Sequence, residues 1–368
     1  MSVFDSSVQV FLKPVWKYIQ DDSVTEIMIN GHQTIYVERR GKIEKTDAQF
    51  EDANALMAAV RNISQFVGRP IDAERAFLDA RLPDGSRIHA VVPPIAKNGT
   101  TVCIRKFSKE KLTLKDLISR QSITPAAARF IDVCIYLKKN IMISGGTGCG
   151  KTTILNILGG RVPAGERMVI LEDSSELKID NDHVVYFEAR PADEYGKGLV
   201  TLRDLVKSSL RLRPDRVVVG EVRGGEALDL LNSMNTGHSG SMGTVHSNSP
   251  KECLTRLETL ALMNDVEVPV SAIRAQVASA INIVIQLSRL SDGSRKTTHI
   301  TECTGMDLNG NYTVNPIFLF TQSGRKEDGT VLGSIEPTGN LPSFMREIEV
   351  NHLPFSRDIL LRGKKSAA

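Results

Sequence analysis

One stretch of the sequence has the residue types and spacing of a phosphate-binding loop. It matches the pattern G-x-x-x-x-G-K-[ST] and runs Gly145-Gly146-Thr147-Gly148-Cys149-Gly150-Lys151-Thr152. Glycines allow the backbone N–H groups of such a loop to turn inward around a phosphate, and a following helix adds the partial positive charge of its N-terminus. Lys151 is expected to reach the β- and γ-phosphates of a nucleotide, and the Thr152 hydroxyl to ligate Mg²⁺.

The residues on either side of this loop predict the elements that must hold it. The apolar run 140–144 predicts a buried strand, and the run 153–158 predicts the start of a helix that ends at Gly159-Gly160. Strand, loop and helix are the context that the pattern requires, so an ordinary glycine-rich turn is the weaker interpretation. The predicted nucleotide-binding residues are Gly146, Thr147, Gly148, Cys149, Gly150, Lys151, Thr152 and Thr153.

Two further predicted strands end in acids. Residues 168–171 lead into Glu172-Asp173, and residues 216–220 lead into Glu221. Ligands of open α/β sheets bind beside the carboxyl ends of the strands, where these acids lie. We expect Glu221 to polarise an attacking water. We expect Glu172 to lie near Mg²⁺, where it would bind the metal through one of its waters or act as an alternative base. The alternative for Glu172 is a turn carboxylate, because Ser174-Ser175 follow it.

Two histidines and several arginines are less specific signals. His238 and His246 flank a glycine-containing turn, at a spacing too wide for a metal site, and a structural role is the usual one for such residues. Their polar surroundings also suit a sensor of the nucleotide state. Hydrolysis needs positive charge near the γ-phosphate, which Arg87, Arg105 or Arg223 could supply, with Arg81 in the turn before Arg87. Exposed arginines are more often surface ion-pair partners.

The order of predicted elements divides the chain. Residues 1–107 read as a small α+β domain, with strands predicted over 25–30, 34–39, 87–92 and 100–105 and helices over about 1–20 and 51–66. Residues 108–124 are predicted to be a linker. Residues 125–305 alternate strands and helices, which indicates a mostly parallel α/β sheet. Residues 306–368 form an extension that the sequence does not assign.

Composition limits the class of protein. The net charge of +3 over 368 residues gives no general reason to expect nucleic-acid binding, and the basic clusters at Arg39-Arg40 and 362–365 are typical of solvated surface. Five scattered cysteines without a C-x-x-C pair argue against disulfides and structural zinc. The sequence shows neither a signal peptide nor an apolar run near about 18 residues, so we expect a soluble, cytosolic protein that reaches a membrane only through partners.

Taken together, four blocks in this order resemble one family, the type II/IV secretion and type IV pilus traffic ATPases. The blocks are the P-loop, the aspartate box Leu171-Glu172-Asp173, the Walker B strand 216–221 with Val222-Arg223, and a histidine box from His238 to His246. The string 210–224 and the runs 234–238 and 246–250 are similar to the Tad/Cpa pilus and the conjugative or type IV secretion branch. The resemblance covers about residues 22–305 and includes Glu26-Ile27-Met28-Ile29-Asn30-Gly31.

The resemblance implies a RecA-like ATPase domain, joined by a flexible linker to the N-terminal domain. It implies ATP and Mg²⁺ as ligands, a homohexameric ring, and partners among inner-membrane platform or secretion-channel proteins on the cytoplasmic face of that membrane. It also implies that Arg87 and Arg105 contact the γ-phosphate, that Glu221 is the catalytic glutamate, and that His238 and His246 are the histidine-box pair. A tetracysteine zinc motif of the type II secretion kind is lacking, which argues against that branch.

Several functions remain open. A motor that assembles pili or drives secretion is favoured. A conjugation ATPase that assists DNA or protein transfer has the same expected fold. A DNA-dependent RecA-type helicase belongs to another class, and the near-neutral charge and the lack of an aromatic and basic stripe count against it. A nucleotide-binding regulator that does not turn over is a fourth interpretation.

Overall fold

The structure of the protein is a computed structural model, which describes residues 8–39, 41–82, 84–107, 112–193 and 195–361. The chain divides into two compact units, Met1–Lys111 and Leu112–Ala368. Parts of four predicted features lie outside the described residues. They are residues 1–7 of the first predicted helix, Arg40, positions 108–111 of the predicted linker and the basic cluster at 362–365.

The first unit is a six-stranded antiparallel sheet with two helices packed on one face. Its strands lie in the order β3-β2-β1-β6-β5-β4, and the two helices share one apolar core with them, in which Ile27, Ile63 and Ile104 are buried. Pro14 does not break the first helix, because it stands in the first turn, where no N–H bond is lost. The elements are α1 (Lys13–Gln20), β1 (Val24–Asn30), β2 (Ile35–Arg39), β3 (Lys42–Lys45), α2 (Ala53–Phe66), β4 (Phe77–Arg81), β5 (Arg87–Val91) and β6 (Thr101–Arg105).

Two strands of this unit were missing from the sequence prediction. β3 is exposed along its whole length and contains a single apolar residue. Its sequence therefore lacks the alternation of apolar and polar residues that marks a strand. β4 buries little apolar surface and carries charged residues. Arg81, which the sequence placed in a turn, is the last residue of β4 and lies opposite Arg87 of β5.

The second unit is built on a nine-stranded sheet with helices on both faces. The strand order is β15-β14-β13-β12-β7-β11-β10-β8-β9. The strands from β12 to β9 are parallel to one another, and β12 to β15 form antiparallel pairs. The strands are β7 (Ile141–Gly145), β8 (Met168–Glu172), β9 (Val184–Glu188), β10 (Arg216–Val219), β11 (Met242–Val245), β12 (Ile283–Arg289), β13 (Arg295–Met306), β14 (Tyr312–Arg325) and β15 (Val331–Pro337).

Two apolar cores cover the two faces of this sheet, because successive side chains of the central strands point to opposite sides. Ile141 and Ile143 of β7 belong to one core and Met142 belongs to the other. The helices are α3 (Leu114–Ser119), α4 (Pro125–Tyr136), α5 (Lys151–Gly159), α6 (Leu202–Ser209), α7 (Glu226–Asn235), α8 (Pro250–Leu262), α9 (Val270–Ala280), α10 (Met345–Val350) and α11 (Arg357–Leu361). The α/β sheet with a smaller α+β unit confirms the predicted fold class.

The structure differs from the prediction on both sides of the predicted ATPase domain. Residues 112–124 belong to the second unit and contain α3, which Thr113 and Asp116 cap reciprocally. β13 crosses residue 305, and β14 and β15 continue the same sheet beyond it. The C-terminal segment returns to the core, where Phe344 and Phe355 pack on Phe130 with ring centroids 6.0 and 5.5 Å apart. Residues 306–361 are therefore an integral part of the second unit.

No helix among the described residues is long and apolar enough to span a bilayer.

Candidate nucleotide site

The glycine-rich loop joins the end of β7 to the start of α5, as predicted. Gly145, Gly148 and Gly150 have φ values of +155°, +69° and +99°, which side-chain-bearing residues rarely adopt. A Cβ on Gly145 would lie 2.5 Å from both the Cys149 Sγ and the Leu287 carbonyl oxygen, so no larger residue fits there. The Cys149 thiol is buried, which leaves the backbone of that residue to face a ligand.

The side chain of Lys151 is held inside the loop by carbonyl oxygens of the loop backbone. Its Nζ donates to the Gly145 and Gly146 oxygens at 3.0 Å each, and it lies 3.3 Å from both ring nitrogens of His246. The side chain is 8% exposed. These acceptors satisfy hydrogen bonds of a buried ammonium, and the phosphates of a nucleotide would have to take their place.

Glu221 lies two residues beyond the end of β10, and one of its two carboxylate oxygens is bonded to Arg223. Arg223 Nη2 donates to its Oε2 at 2.6 Å. His246 Nε2 lies 2.7 Å from Oε1 but is not aligned as a hydrogen bond, and Oε1 is buried without a hydrogen-bond partner among the described residues. Burial raises the pKa of Glu221, but the hydrogen bond and charge of Arg223 and the positive charge of Lys151 outweigh it, so its pKa is lowered.

His246 follows β11 directly and lies between the loop lysine and Glu221. Burial and the nearby charge of Lys151 lower its pKa, so the neutral imidazole is favoured at pH 7. β7, β11 and β10 are neighbours in the sheet, and each ends in one part of the cluster. The parallel order of these strands thus brings together three of the predicted residues, Lys151, His246 and Glu221.

Hydrogen bonds hold the segment between β10 and α7 that carries Glu221. Glu226 is buried, and its Oε1 accepts from the backbone N–H groups of Arg223 at 2.6 Å and Gly224 at 2.8 Å. The Val222 N–H donates to the Thr244 carbonyl oxygen at 2.8 Å. The sequence analysis did not select Glu226, although a glutamate at the start of a helix is a known capping signal.

Glu172 has the environment of a turn carboxylate. Its Oε1 accepts from the backbone N–H groups of Glu176 at 2.8 Å and Leu177 at 3.0 Å, and burial raises its pKa. β8 is separated from β7 by β11 and β10, about 14 Å at the usual strand spacing. A Cβ on Gly220 would lie 2.8 Å from the Glu172 Cγ, which explains the glycine in the Walker B strand. The observed contacts fit the alternative that the sequence left open.

His238 does not join the cluster within this chain. It precedes β11, whose Met242 pairs in parallel with Ile141 at the start of β7. His238 therefore lies at the amino ends of the parallel strands, opposite the loop at their carboxyl ends. Its Nδ1 lies 3.3 Å from the Ser233 carbonyl oxygen. The two histidines are separated because the strand between them crosses the sheet.

The arginines of the first unit form a cross-strand row on one face of its sheet. Arg105 lies opposite Arg87, and Arg87 lies opposite Arg81. Glu26 of β1 lies on the other side of Arg105. The register therefore places three arginine side chains next to one another on adjacent strands. The sequence analysis named all three arginines, and the structure places Arg81 in the strand row rather than in a turn.

The residues present fit a nucleotide with Mg²⁺. At Gly146, Gly148 and Gly150 no heavy atom lies closer than 3.8 Å to the position of a Cβ, so the loop leaves open space there. The lysine is buried at the base of the loop, and Glu221 brings a carboxylate near it. The Thr152 hydroxyl is available as an oxygen ligand on the first turn of α5. The described part of the chain contains no cluster of three His, Cys, Asp or Glu side chains that could hold a metal unaided, so the metal would be bound together with phosphate oxygens.

Comparisons with known proteins agree with this geometry. The family model described as type II/IV secretion system protein matches residues 9–326. The conjugal transfer protein TrbB of Rhizobium radiobacter is 32% identical over 281 residues, 75% of this chain and 83% of that protein. The type IV secretion system protein PtlH of Bordetella pertussis is 31% identical over 318 residues, 79% and 93% of the two chains. The X-ray structure of the Legionella pneumophila ATPase DotB shares the fold, with a TM-score of 0.55 at 17% identity over 97% and 87% of the chains.

Proposed function

The chain is an ATPase of the type II/IV secretion system protein family, and we propose that it works as a ring of six copies that couples ATP hydrolysis to a secretion or pilus machine. The observation that carries the proposal is the cluster of Lys151, His246, Glu221 and Arg223 at the carboxyl ends of three adjacent parallel strands. Such a cluster combines a phosphate-binding cation with a carboxylate base, as phosphoryl transfer requires.

Binding begins with an exchange of partners at Lys151. The ammonium would leave the Gly145 and Gly146 oxygens for the β- and γ-phosphates, while the backbone N–H groups of the loop surround the β-phosphate. The Thr152 hydroxyl would hold Mg²⁺, which neutralises phosphate charge when bound. Glu172 as an additional ligand or base in the water shell of Mg²⁺ is a weaker proposal, because its Oε1 is already bonded to two backbone N–H groups.

Glu221 would act on the attacking water. Its Oε2 is held by Arg223, so Oε1 is the oxygen free to accept a hydrogen bond from water. The water oxygen would bond to the γ-phosphorus as the bond to the β-phosphate oxygen breaks, and the water proton would pass to Glu221 or the phosphate. The lowered pKa of Glu221 keeps it ionised at pH 7, and the lowered pKa of His246 favours a neutral imidazole, whose Nε2 lies 2.7 Å from Oε1.

Arg87 and Arg105, with Arg81 beside them, would supply positive charge to the γ-phosphate. Loss of that phosphate would release the arginines, and this change in contacts would move one domain against the other. We include in this proposal a role for His238 as a sensor of the nucleotide state. Because His238 is remote from the loop of its own chain, it would act in the assembled ring.

The machine is proposed to lie at a membrane, with the ATPase on the cytoplasmic face and bound through platform or channel proteins. The names of TrbB and PtlH favour conjugative or type IV secretion over pilus assembly as its setting. The Tad-type pilus remains the other candidate, supported by the sequence strings 210–224 and 234–238. Direct nucleic-acid binding is not expected at a net charge of +3.

Two measurements test this proposal. Native mass spectrometry with and without ATP is expected to show a six-copy species, and a chain that stays monomeric at all nucleotide concentrations would refute the ring. Glu221→Gln is expected to bind ATP while hydrolysing it at least about 100-fold more slowly. Glu267→Gln, at an exposed position, is the matched control and should retain wild-type turnover. Strong stimulation by single-stranded DNA would instead favour the helicase class.

A further inference from the structure

Gln286 is a buried polar residue in the apolar part of β12. It is 1% exposed, and its neighbours Val284, Ile285 and Leu287 are apolar and buried. Because the side chains of a strand alternate, Gln286 faces the same apolar core as Val284, which also contains Met142 of β7. Burial of an amide costs free energy unless its hydrogen-bonding groups are paired. Its contacts must therefore account for its place in the strand.

The amide of Gln286 reaches the residue that follows His246. Its Nε2 donates to the Ser247 carbonyl oxygen at 3.2 Å and lies 3.4 Å from the Leu287 carbonyl oxygen. Its Oε1 is buried without a hydrogen-bond partner among the described residues. The side chain is thus not placed where all its own polar groups are satisfied, which indicates a requirement other than stability.

A second polar contact holds Ser247 from β7. Ser144 immediately precedes the glycine loop, is fully buried, and pairs with Gln286 across β7 and β12. Its hydroxyl forms a hydrogen bond with the Ser247 hydroxyl, which also donates to the Ser249 carbonyl oxygen at 3.2 Å. Ser247 is therefore tied to β12 through its carbonyl group and to β7 through its hydroxyl group.

These bonds act on His246, because it lies between Val245, the last residue of β11, and Ser247. Val245 is paired with β7, so the backbone is held on both sides of His246. The His246 side chain is 44% exposed, so packing on the ring contributes little to its direction. Its position, 3.3 Å from the Lys151 Nζ and 2.7 Å from Glu221 Oε1, depends on the backbone that carries it.

We propose that Gln286 is a positioning residue for His246. It ties the chain after β11 to β12, and so keeps the imidazole between the loop lysine and Glu221. The amide is needed for its donor, and the unpaired Oε1 is the cost of placing that donor at the Ser247 carbonyl oxygen. This inference rests on the proposed function and adds a residue that lies outside the four sequence blocks.

The test is a double-mutant cycle on the ATPase reaction. Gln286→Met keeps the length of the side chain and removes the amide, so kcat is expected to fall about 5- to 10-fold, as the loss of one hydrogen bond allows. The affinity for ADP, measured by calorimetric titration with Mg²⁺, should remain that of wild type, because Lys151 and the glycine loop are unchanged. In a His246→Ala background the same substitution should cause no further loss of kcat, since the residue through which it acts is gone.

Gln276→Met is the matched control. Gln276 also has a buried Oε1 without a partner in the part of the chain that the structure describes. It lies on α9, which leads into the amino end of β12, so turnover should remain that of wild type. Ser144→Ala removes the hydroxyl contact with Ser247 and should lower kcat in the same direction as Gln286→Met, again only where His246 is present.

Urea unfolding checks the fold of each variant. Gln286→Met should unfold at about the wild-type urea concentration, because it removes one unpaired buried oxygen while it takes the donor from the Ser247 carbonyl oxygen. If its midpoint is lowered instead, Ser144→Ala decides the question, and an equal loss of kcat with and without His246 in that variant would overturn the inference.

Wild-type kcat in Gln286→Met would overturn the inference while leaving the proposed function intact. The same holds for a loss of kcat that is equal in the His246→Ala background, and for a loss of ADP affinity that accounts for the whole effect. A wild-type chain that neither binds ADP nor hydrolyses ATP would overturn the proposed function and the inference with it.

Discussion

Arg223 should set the pH range in which the ATPase is active. It donates to Glu221 Oε2 at 2.6 Å and leaves the other carboxylate oxygen for water. Replacing it with Gln removes its charge and its guanidinium, so the pKa of Glu221 should rise toward the value that burial favours. Because Glu221 must be ionised to accept a proton, activity in the variant should be lost at a higher pH as the solution is acidified.

The size of this shift follows from the exposure of the pair. A hydrogen bond between two charged groups contributes about 1.5–3 kcal/mol when it is shielded from water. Arg223 is 57% exposed and Glu221 is 21% exposed, so solvent screening reduces the effect to about 1 kcal/mol. At 1.36 kcal/mol for each pKa unit, the acid limb should move upward by about 0.7 pH unit.

The measurement is the pH dependence of kcat/KM for ATP between about pH 5 and pH 8, because this parameter reports the groups of the free enzyme. His246 is a titratable neighbour of Glu221, so the comparison is repeated in a His246→Gln background, where the shift should persist. Arg211→Gln removes an exposed arginine beyond α6 and should leave the limb unmoved. Coincident acid limbs for wild type and Arg223→Gln would refute the control of Glu221 by Arg223.

Three further outcomes are expected. Gly240→Ala should lower the free energy of unfolding by about 3 kcal/mol, because its φ is +84° and the new Cβ would lie 2.6 Å from Nη1 of fully buried Arg216. Gly165→Ala, at φ +91° with open space around it, should lower the free energy of unfolding by only about 1 kcal/mol. Urea titration of both variants measures the difference. His246→Ala should lower kcat about 10-fold or more, with Gln less damaging because it keeps a polar group beside Glu221. Glu172→Gln should lower kcat less than about 10-fold, because an amide oxygen can still accept from the two backbone N–H groups.

Each of these outcomes has a result that contradicts it. Equal costs at Gly240 and Gly165 would mean that the close approach of Arg216 does not matter in solution. Wild-type turnover in His246→Ala would exclude the imidazole from the reaction. A loss above about 100-fold in Glu172→Gln, together with a raised requirement for Mg²⁺, would show that Glu172 serves the metal rather than the turn.

The sequence predicted most strongly what is short-range. The strand, loop and helix around Lys151 are confirmed. These features depend on residues three to six positions apart. Glu221 was selected for the same reason, since its position at the end of an apolar run needs no knowledge of the sheet.

The remainder depends on strand order, which the sequence does not contain. The distance of Glu172 from the loop follows from the order β7-β11-β10-β8. The separation of His238 from His246 follows from the course of β11, which runs between them. β9 was also missed, because it is an edge strand whose residues are half exposed and do not alternate clearly. The hydrogen bond from Arg295 Nε to the Gly148 carbonyl oxygen of the loop required the pairing of β12 with β7, two strands that are distant in sequence.

The position of β7 within the sheet also has a mechanical consequence. β11 pairs with it on one side over Ile141 to Ser144, and β12 pairs with it on the other over Ile141 to Gly145, both in parallel. A pull on the loop along the axis of β7 therefore loads two ladders of hydrogen bonds at once, in shear, and they must fail together rather than one after another. A protein that pushes against a load needs its point of force generation anchored in this way, so that strain passes into the sheet instead of drawing the strand out.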